Sequence, residues 1–188
     1  GLSDAAALPR GAELSAEGVS VRVHPALAPL DHPLAQTSGA LNALFIEGRR
    51  IGRIFIQGPG AGSGPTAAAA AADIADVMTG AVRPVFQKPA KELVRFKAVD
   101  AAHRQGRIYV RLLVRDEPGV IAAVSETLAE ERVSIDSFLQ KPVSDGQGVP
   151  IVLTTHDAPE SVLLNAVQRI GLLPAVIEPP RMIRIARV

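Results

Sequence analysis

The second half of the chain switches repeatedly between two hydrophobic periods, and that switching restricts the fold more than any other feature. Ile108 to Arg115 reads as a strand, and Pro118 opens a helical pattern in which Val120, Ile121, Val124 and Leu128 share one face. Val133 to Gln140 alternates apolar and polar residues, Gly146-Gln147-Gly148 marks a turn, and Val149 to Thr155 is apolar and rich in β-branched side chains. Asp157 with Glu160 three residues later forms a capping-box variant. Val162, Leu163, Ala166, Val167 and Ile170 then give a second amphipathic helix that ends at Gly171. Val176-Ile177 and Met182 to Val188 supply the last strand. The order βαββαβ is the ferredoxin-like arrangement, with both helices on one face of a small sheet. Such a sheet leaves edges and an open face uncovered, which predicts pairing with a second copy.

The first half has a different texture. Val19, Val21 and Val23 alternate with polar residues, and the apolar runs Ala40 to Glu47 and Ile51 to Gln57 flank Gly48-Arg49-Arg50, a pattern of antiparallel strands joined by a short turn. The proline-rich piece from His24-Pro25 through Asp31-His32-Pro33 is predicted to be loop, because proline cannot donate to a central ladder. Gly58-Pro59-Gly60-Ala61-Gly62-Ser63-Gly64-Pro65-Thr66 then leads into an alanine-rich helix, with Pro65 in its first turn and Gly80 as C-cap. The boundaries predicted on this basis are a front region over 1–83, a linker over 84–107 that carries Lys88, Lys91, Glu92, Arg95, Lys97, Arg104 and Arg107, and the βαββαβ domain over 108–188. The opening Gly1-Leu2-Ser3-Asp4 has neither an initiator methionine nor the order of a signal peptide, and reads as a cut end.

Composition removes several classes of function. Lys and Arg number 20 against 19 Asp and Glu, so there is no basic excess to drive binding to a nucleic-acid backbone. The stretch Thr66 to Val77 is interrupted by Asp73 and Asp76 and is shorter than the roughly 20 apolar residues that a bilayer crossing needs. Without cysteine there are no disulfides and no thiolate sites, which fits a cytoplasmic location. The four histidines, His24, His32, His103 and His156, are scattered, so no metal site is predicted. Asp73 and Asp76 read as the solvated face of a helix, and Ser125, Ser134 and Ser137 have no recognisable base partner for a hydrolase triad.

Two motifs carry possible chemistry. In the glycine loop, bare backbone followed by a helix N-terminus suits an anion such as a phosphate. Its spacing is G-x-G-x-G-x-G, with Ser63 where the dinucleotide fingerprint needs its last glycine, and the same loop serves equally to pack a helix closely on a sheet. The second motif is Asp116-Glu117-Pro118-Gly119-Val120, where helix N–H groups could hold a carboxylate and Asp116 an ammonium. The alternative is that Asp116 only caps the helix and Pro118 fixes its first turn.

Val23-His24-Pro25 through Leu34-Ala35, Gly39 to Ala43 and above all Gly58 to Ala67 resemble the closing part of the homoserine dehydrogenase catalytic domain. Arg111 to Val120 and Val133-Ser134-Ile135-Asp136-Ser137 are similar to the ACT domain that follows it in many bacterial members. The resemblance implies an α+β chain: a remnant of an α/β catalytic domain, made of strands, glycine loop and helix, then a ferredoxin-like ACT domain for amino-acid feedback. It implies NAD or NADP as cofactor, approached by Gly60, Ala61 and Gly62, and interconversion of aspartate semialdehyde and homoserine on the route to threonine and methionine. The family's N-terminal Rossmann domain and the segment with its catalytic lysine have no counterpart here, so the chain alone is expected to be inactive and no catalytic residue is assigned. For the ACT domain the resemblance implies an effector, with threonine expected, held by Asp116, Pro118, Gly119 and Val120 of one copy and by Ser134 and Ile135 of a neighbour in a homodimer or larger homo-oligomer. Ser134 departs from the pattern, since many ligand-binding members carry Asn there. The alternative reading is a stand-alone ACT-type regulatory or assembly module.

Overall fold

A computed structural model of the chain describes residues 10–81, 86–140 and 148–187. The predicted turn residues Gly146 and Gln147, the predicted linker start at Pro84 and the terminal Val188 lie outside the described residues. In chain order the strands and helices of the first half are β1 (Arg10–Ser15), β2 (Gly18–Val23), β3 (Ala26–Leu27), β4 (Leu41–Gly48), β5 (Gly52–Pro59) and α1 (Ser63–Thr79). Those of the second half are β6 (Gln105–Val114), α2 (Val120–Glu130), β7 (Ile135–Gln140), β8 (Val149–Thr155), β9 (Ala158–Pro159), α3 (Glu160–Gly171) and β10 (Arg181–Ile185). The described residues cluster into two compact units. One joins the chain up to Pro29 to everything from Lys97 onward, and the other is Leu30–Phe96. Compactness therefore divides the chain differently from the boundaries at 83 and 108 read from the sequence.

The larger unit is built on a sheet of order β3-β10-β6-β8-β7, antiparallel throughout except that β3 runs parallel to β10. Its last four strands have the order expected of βαββαβ. The period of two is visible along β6, where Ile108, Val110, Leu112 and Val114 are fully buried while Tyr109, Arg111 and Leu113 on the other face are not. The buried set packs with Ile151 and Leu153 of β8, with Val120, Val124 and Leu128 of α2, and with Leu163, Ala166 and Ile170 of α3 into one core. Arg169 of α3 joins the two helices by pairing with Glu131, at 2.6 Å, and with Glu130 beyond the end of α2 and in its last residue.

Four local readings need correction. Ala26–Leu27 is an edge strand, not loop: Pro25 stands just ahead of it, where no ladder N–H is required, and Leu27 accepts a hydrogen bond from Ala186 N at 2.7 Å. Asp157 does not cap α3. Residues Ala158–Pro159 are drawn into a short ladder with Gln105–Gly106, so the helix starts at Glu160 with Pro159 at its N-cap, and the Glu160 carboxylate accepts from Arg184 Nε at 3.0 Å instead. On α2, Ile121 is 43% exposed and Thr127 takes the buried place, its hydroxyl donating to Ala123 O at 2.8 Å. Finally, the stretch assigned to a linker already belongs to the larger unit at its end. Val19 and Val99 exchange backbone hydrogen bonds with Lys97 and Val19 at 2.8 and 2.9 Å, and β6 begins at Gln105, earlier than predicted.

In the smaller unit β4 and β5 form an antiparallel hairpin in which Leu44 faces Ile56, Phe45 faces Phe55 and Ile46 faces Ile54. Phe45 also takes the His32 ring edge-on at a centroid separation of 4.5 Å. Helix α1 ends as predicted: Gly80 is left-handed, with φ 70°, and its N–H reaches the carbonyls of Asp76 and Val77. None of the residues of α1 is buried, Asp73 and Asp76 included.

Two consequences for stability can be measured. Leu27 is 8% exposed, so Leu27→Ala should destabilise the larger unit by about 2–4 kcal/mol in a denaturant titration followed at that unit, the usual loss for a buried leucine; a change below about 0.5 kcal/mol would show that β3 is not part of it. The second concerns Glu131, whose pKa is lowered by hydrogen bonds first from Arg169 and then from Asn165. A depressed carboxylate contributes stability above its ordinary range and loses it as pH falls through that range and below. Glu131→Gln should therefore flatten the acid side of the stability profile, read as the denaturation midpoint at neutral and acid pH.

Candidate functional site

Two places combine exposed backbone with a helix N-terminus. The first lies at the end of β6. Val114, buried in the core, carries the chain into Arg115-Asp116-Glu117-Pro118-Gly119, and α2 starts at Val120. Gly119 is the N-cap, with φ 89° and ψ −9°, a left-handed conformation that any L side chain would strain, and open space lies where its Cβ would point. No side chain caps the helix. The capping alternative for Asp116 is thereby removed: the N-cap position is filled by a residue without a side chain, and the first N–H groups of α2 are left to water or a ligand.

These residues line a cavity of about 380 Å³ bounded by Val114, Arg115 to Ile121, Gln140 and Ile151. Its walls are divided chemically. Val114, Val120, Ile121 and Ile151 are apolar, while Arg115, Asp116, Glu117 and the Gln140 amide are polar or charged, beside the positive end of the α2 dipole. Arg115 is held from behind, its N–H donating to Ala175 O at 2.8 Å. Asp116, Pro118, Gly119 and Val120 all line this cavity.

Ser134 and Ile135 are not among the lining residues. They stand at the start of β7, whose other end, Gln140, reaches the cavity. Gln140 was not singled out in the sequence. A lone glutamine at a strand end has no pattern of its own, and its place follows only from the β7–β8 register, which sets Gln140 opposite Ile151. Near Ser134, a bulge at Asp136 turns that carboxylate toward Arg107 and the Thr154 hydroxyl, the latter at 3.0 Å, while Ser134 O accepts from His156 N at 2.9 Å.

The second place is the glycine loop before α1. Gly62 is the N-cap at φ 121°, again with no side-chain cap, and its carbonyl accepts from the Thr66 hydroxyl at 2.8 Å and Thr66 N at 3.2 Å. At Gly60 an added Cβ would fall 1.7 Å from Asn42 Nδ2, so the loop lies directly against β4 and admits no side chain there without moving Asn42. Gly60, Ala61 and Gly62 thus present bare backbone at the start of a helix of 17 residues that has no acidic residue in its first turn. That donor set fits an anionic or dinucleotide cofactor.

Among the described residues no group of three or more His, Asp or Glu side chains could hold a metal ion, and no helix is long and apolar enough to cross a membrane. His24 Nδ1 contacts Pro25 O at 3.0 Å, and His32 Nδ1 accepts from Leu34 N at 3.3 Å as the cap of a short 3₁₀ turn.

Comparison with known proteins adds the family. Residues 3–75 match the model for homoserine dehydrogenase, and residues 108–171 match the model for the ACT domain. The homoserine dehydrogenase of Helicobacter pylori is 32% identical over 169 residues, covering 89% of this chain and 39% of that protein. That of Mycobacterium tuberculosis is 37% identical over 164 residues, covering 84% of this chain and 37% of its own length. The solved structure of a homoserine dehydrogenase from Thiobacillus denitrificans superposes with a TM-score of 0.81 at 32% identity, over 93% of this chain and 41% of that one. The chain thus spans about two fifths of the length of the relatives it matches. With both models in this order along an α+β fold that superposes on the same family, the chain belongs to the homoserine dehydrogenases, as the counterpart of their C-terminal portion: a dehydrogenase segment followed by an ACT domain.

Proposed function

We propose that this chain is the regulatory end of an NAD(P)-dependent homoserine dehydrogenase, in which the β6–α2 cavity senses a small amino acid, with threonine the expected effector, and the glycine loop faces the nicotinamide cofactor. The observation that carries this reading is the junction at Gly119: a left-handed, uncapped helix start opening into a cavity with a mixed apolar and polar wall. An α-carboxylate is complementary to the free N–H groups of α2, an α-ammonium to Asp116 or Glu117, and a small side chain to Val120, Ile121 and Ile151. Gln140 offers both a donor and an acceptor for a hydroxyl.

The reading also offers a place for Ile135 of a second copy. Among the described residues β7 is an edge of its sheet. If two copies pair there antiparallel, with the two-fold axis between Ser137 and Phe138, the partner's Ile135 comes to lie opposite Gln140, at the rim of the cavity. Each copy would then complete the other's site.

Dehydrogenase activity is a property expected of the whole enzyme. Hydride transfer requires cofactor and substrate fixed opposite each other. The chain covers about two fifths of its relatives and carries one glycine loop without the full dinucleotide fingerprint. The purified 188-residue chain should give no homoserine-dependent reduction of NAD or NADP; a rate that disappears on substituting one of its own residues would overturn this.

Calorimetric titration tests the cavity. Threonine should bind, and Gln140→Leu should weaken it about tenfold, the cost of one hydrogen bond to a polar ligand group, while the stability of the unit stays unchanged. Isoleucine, methionine and lysine run in parallel establish the selectivity. If none of the four binds at millimolar concentration, the cavity is not an effector site and the domain is an assembly element.

A further inference from the structure

We propose that the effector cavity and the dehydrogenase segment are coupled through two backbone stitches that place residues 18–27 inside the regulatory unit's cooperative structure; this rests on the effector reading given above. Residues 18–27 lie within the part matched by the homoserine dehydrogenase model, yet they are hydrogen-bonded into the unit that holds the cavity.

The first stitch joins β2 to the chain ahead of β6. Val19 N donates to Lys97 O at 2.8 Å and Val99 N donates to Val19 O at 2.9 Å, a parallel bridge. It is possible because residue 18 is glycine. At φ 138°, a Cβ there would lie 2.2 Å from Lys97 O, so any side chain forces the two segments apart. The second stitch is β3. Ala26 and Leu27 pair with Arg184 and Ile185, Ala186 N donates to Leu27 O at 2.7 Å, and the two β3 residues are 2% and 8% exposed, as buried as the core.

From the second stitch to the cavity the backbone is connected along two routes, each part hydrogen-bonded ladder and part chain. β10 pairs with β6 from Arg107 to Arg111, and the buried side of β6 runs on to Val114 at the cavity wall. The segment that enters β10 is itself tied to that wall, with Arg115 N donating to Ala175 O and Ile177 N to Leu113 O, both at 2.8 Å. Around that tie there is no slack. A Cβ on Gly148 would lie 2.5 Å from the Ile177 side chain and 2.8 Å from Val114 O. Opening the cavity loop therefore disturbs the entry to β10, and loosening β10 frees β3. A ligand suppresses the opening of whatever cooperative unit contains its site, and linkage makes the effect reciprocal: whatever stabilises the stitches raises effector affinity by the same factor.

Amide hydrogen exchange on the whole chain, with threonine as the probe, reads this directly. At a threonine concentration about 100 times its Kd, exchange at Val99 and Ala186, the donors on the two stitches, should slow by roughly the same 100-fold as exchange at Arg115 in the cavity wall. In the reverse direction, Gly18→Ala, which opens the first stitch and touches nothing in the cavity, should weaken threonine binding about fivefold or more. Slowing at Arg115 without slowing at Val99 and Ala186 would mean that the effector binds but is not coupled, and this inference falls while the effector reading stands. Unchanged threonine affinity in folded Gly18→Ala overturns it in the same way. If threonine neither binds nor slows exchange anywhere, both fall together, and the absence of binding identifies the effector reading as the one that failed.

Discussion

Strand β6 is the element on which the larger unit depends. It is bonded on both sides, to β10 and to β8, and one of its faces is wholly inside the core. Because its side chains alternate, a slip of one residue would turn Ile108, Val110, Leu112 and Val114 out to solvent and bring Tyr109 and Arg111 in, so the register is fixed by burial alone. The cavity loop and the β10–β3 seam lie at its two ends. Its C-terminal end delivers the chain into the cavity loop at an angle set by Val114, and its N-terminal end lies beside the seam where β10 receives β3.

The two halves of the chain are held to very different degrees by what is present in it. In the larger unit two helices cover one sheet face, and most of the apolar positions predicted from periodicity are filled by buried side chains. In the smaller unit, among the described residues, Leu44, Ile46 and Ile56 on the aliphatic face of β4 and β5 and the whole length of α1 are exposed. An alanine-rich helix has high intrinsic propensity but little apolar area to offer, so most of what fixes such a helix comes from the surface it packs on. The contrast follows from what each half contains: one has a closed core, the other has apolar side chains that stay exposed among the described residues.

What could be read in the sequence follows the same line. The β6, α2, β8 and α3 segments were legible because burial on one face writes a period into the residues. Local signals were less dependable where tertiary pairing competed with them. Asp157 and Glu160 have the spacing of a cap, yet the pairing of Ala158–Pro159 with Gln105–Gly106 moved the helix start past Asp157. Pro25 signalled loop, and does exclude a central strand, but an edge strand asks only for the carbonyl of Leu27 and the shelter of Ala26. Among the residues that line the cavity, Asp116, Pro118, Gly119 and Val120 lie in one short run and are therefore visible, whereas Gln140 enters through strand register, which no local pattern encodes.

The two-residue strand β3 has a consequence for colloidal behaviour out of proportion to its length. A sheet with two bare edges can add copies of itself on either side and grow without limit, as fibrils do. Here Arg184 and Ile185 on the β10 edge are already paired with the chain's own backbone, in the parallel sense and with buried side chains, so among the described residues that side offers a second copy a shorter ladder than β7 does. Pairing favoured at β7 closes on two copies, because each then has its longer edge covered. The same short segment, entered through Pro25 and laid beside Arg184, thus makes that side of the sheet a poorer template for polymerisation.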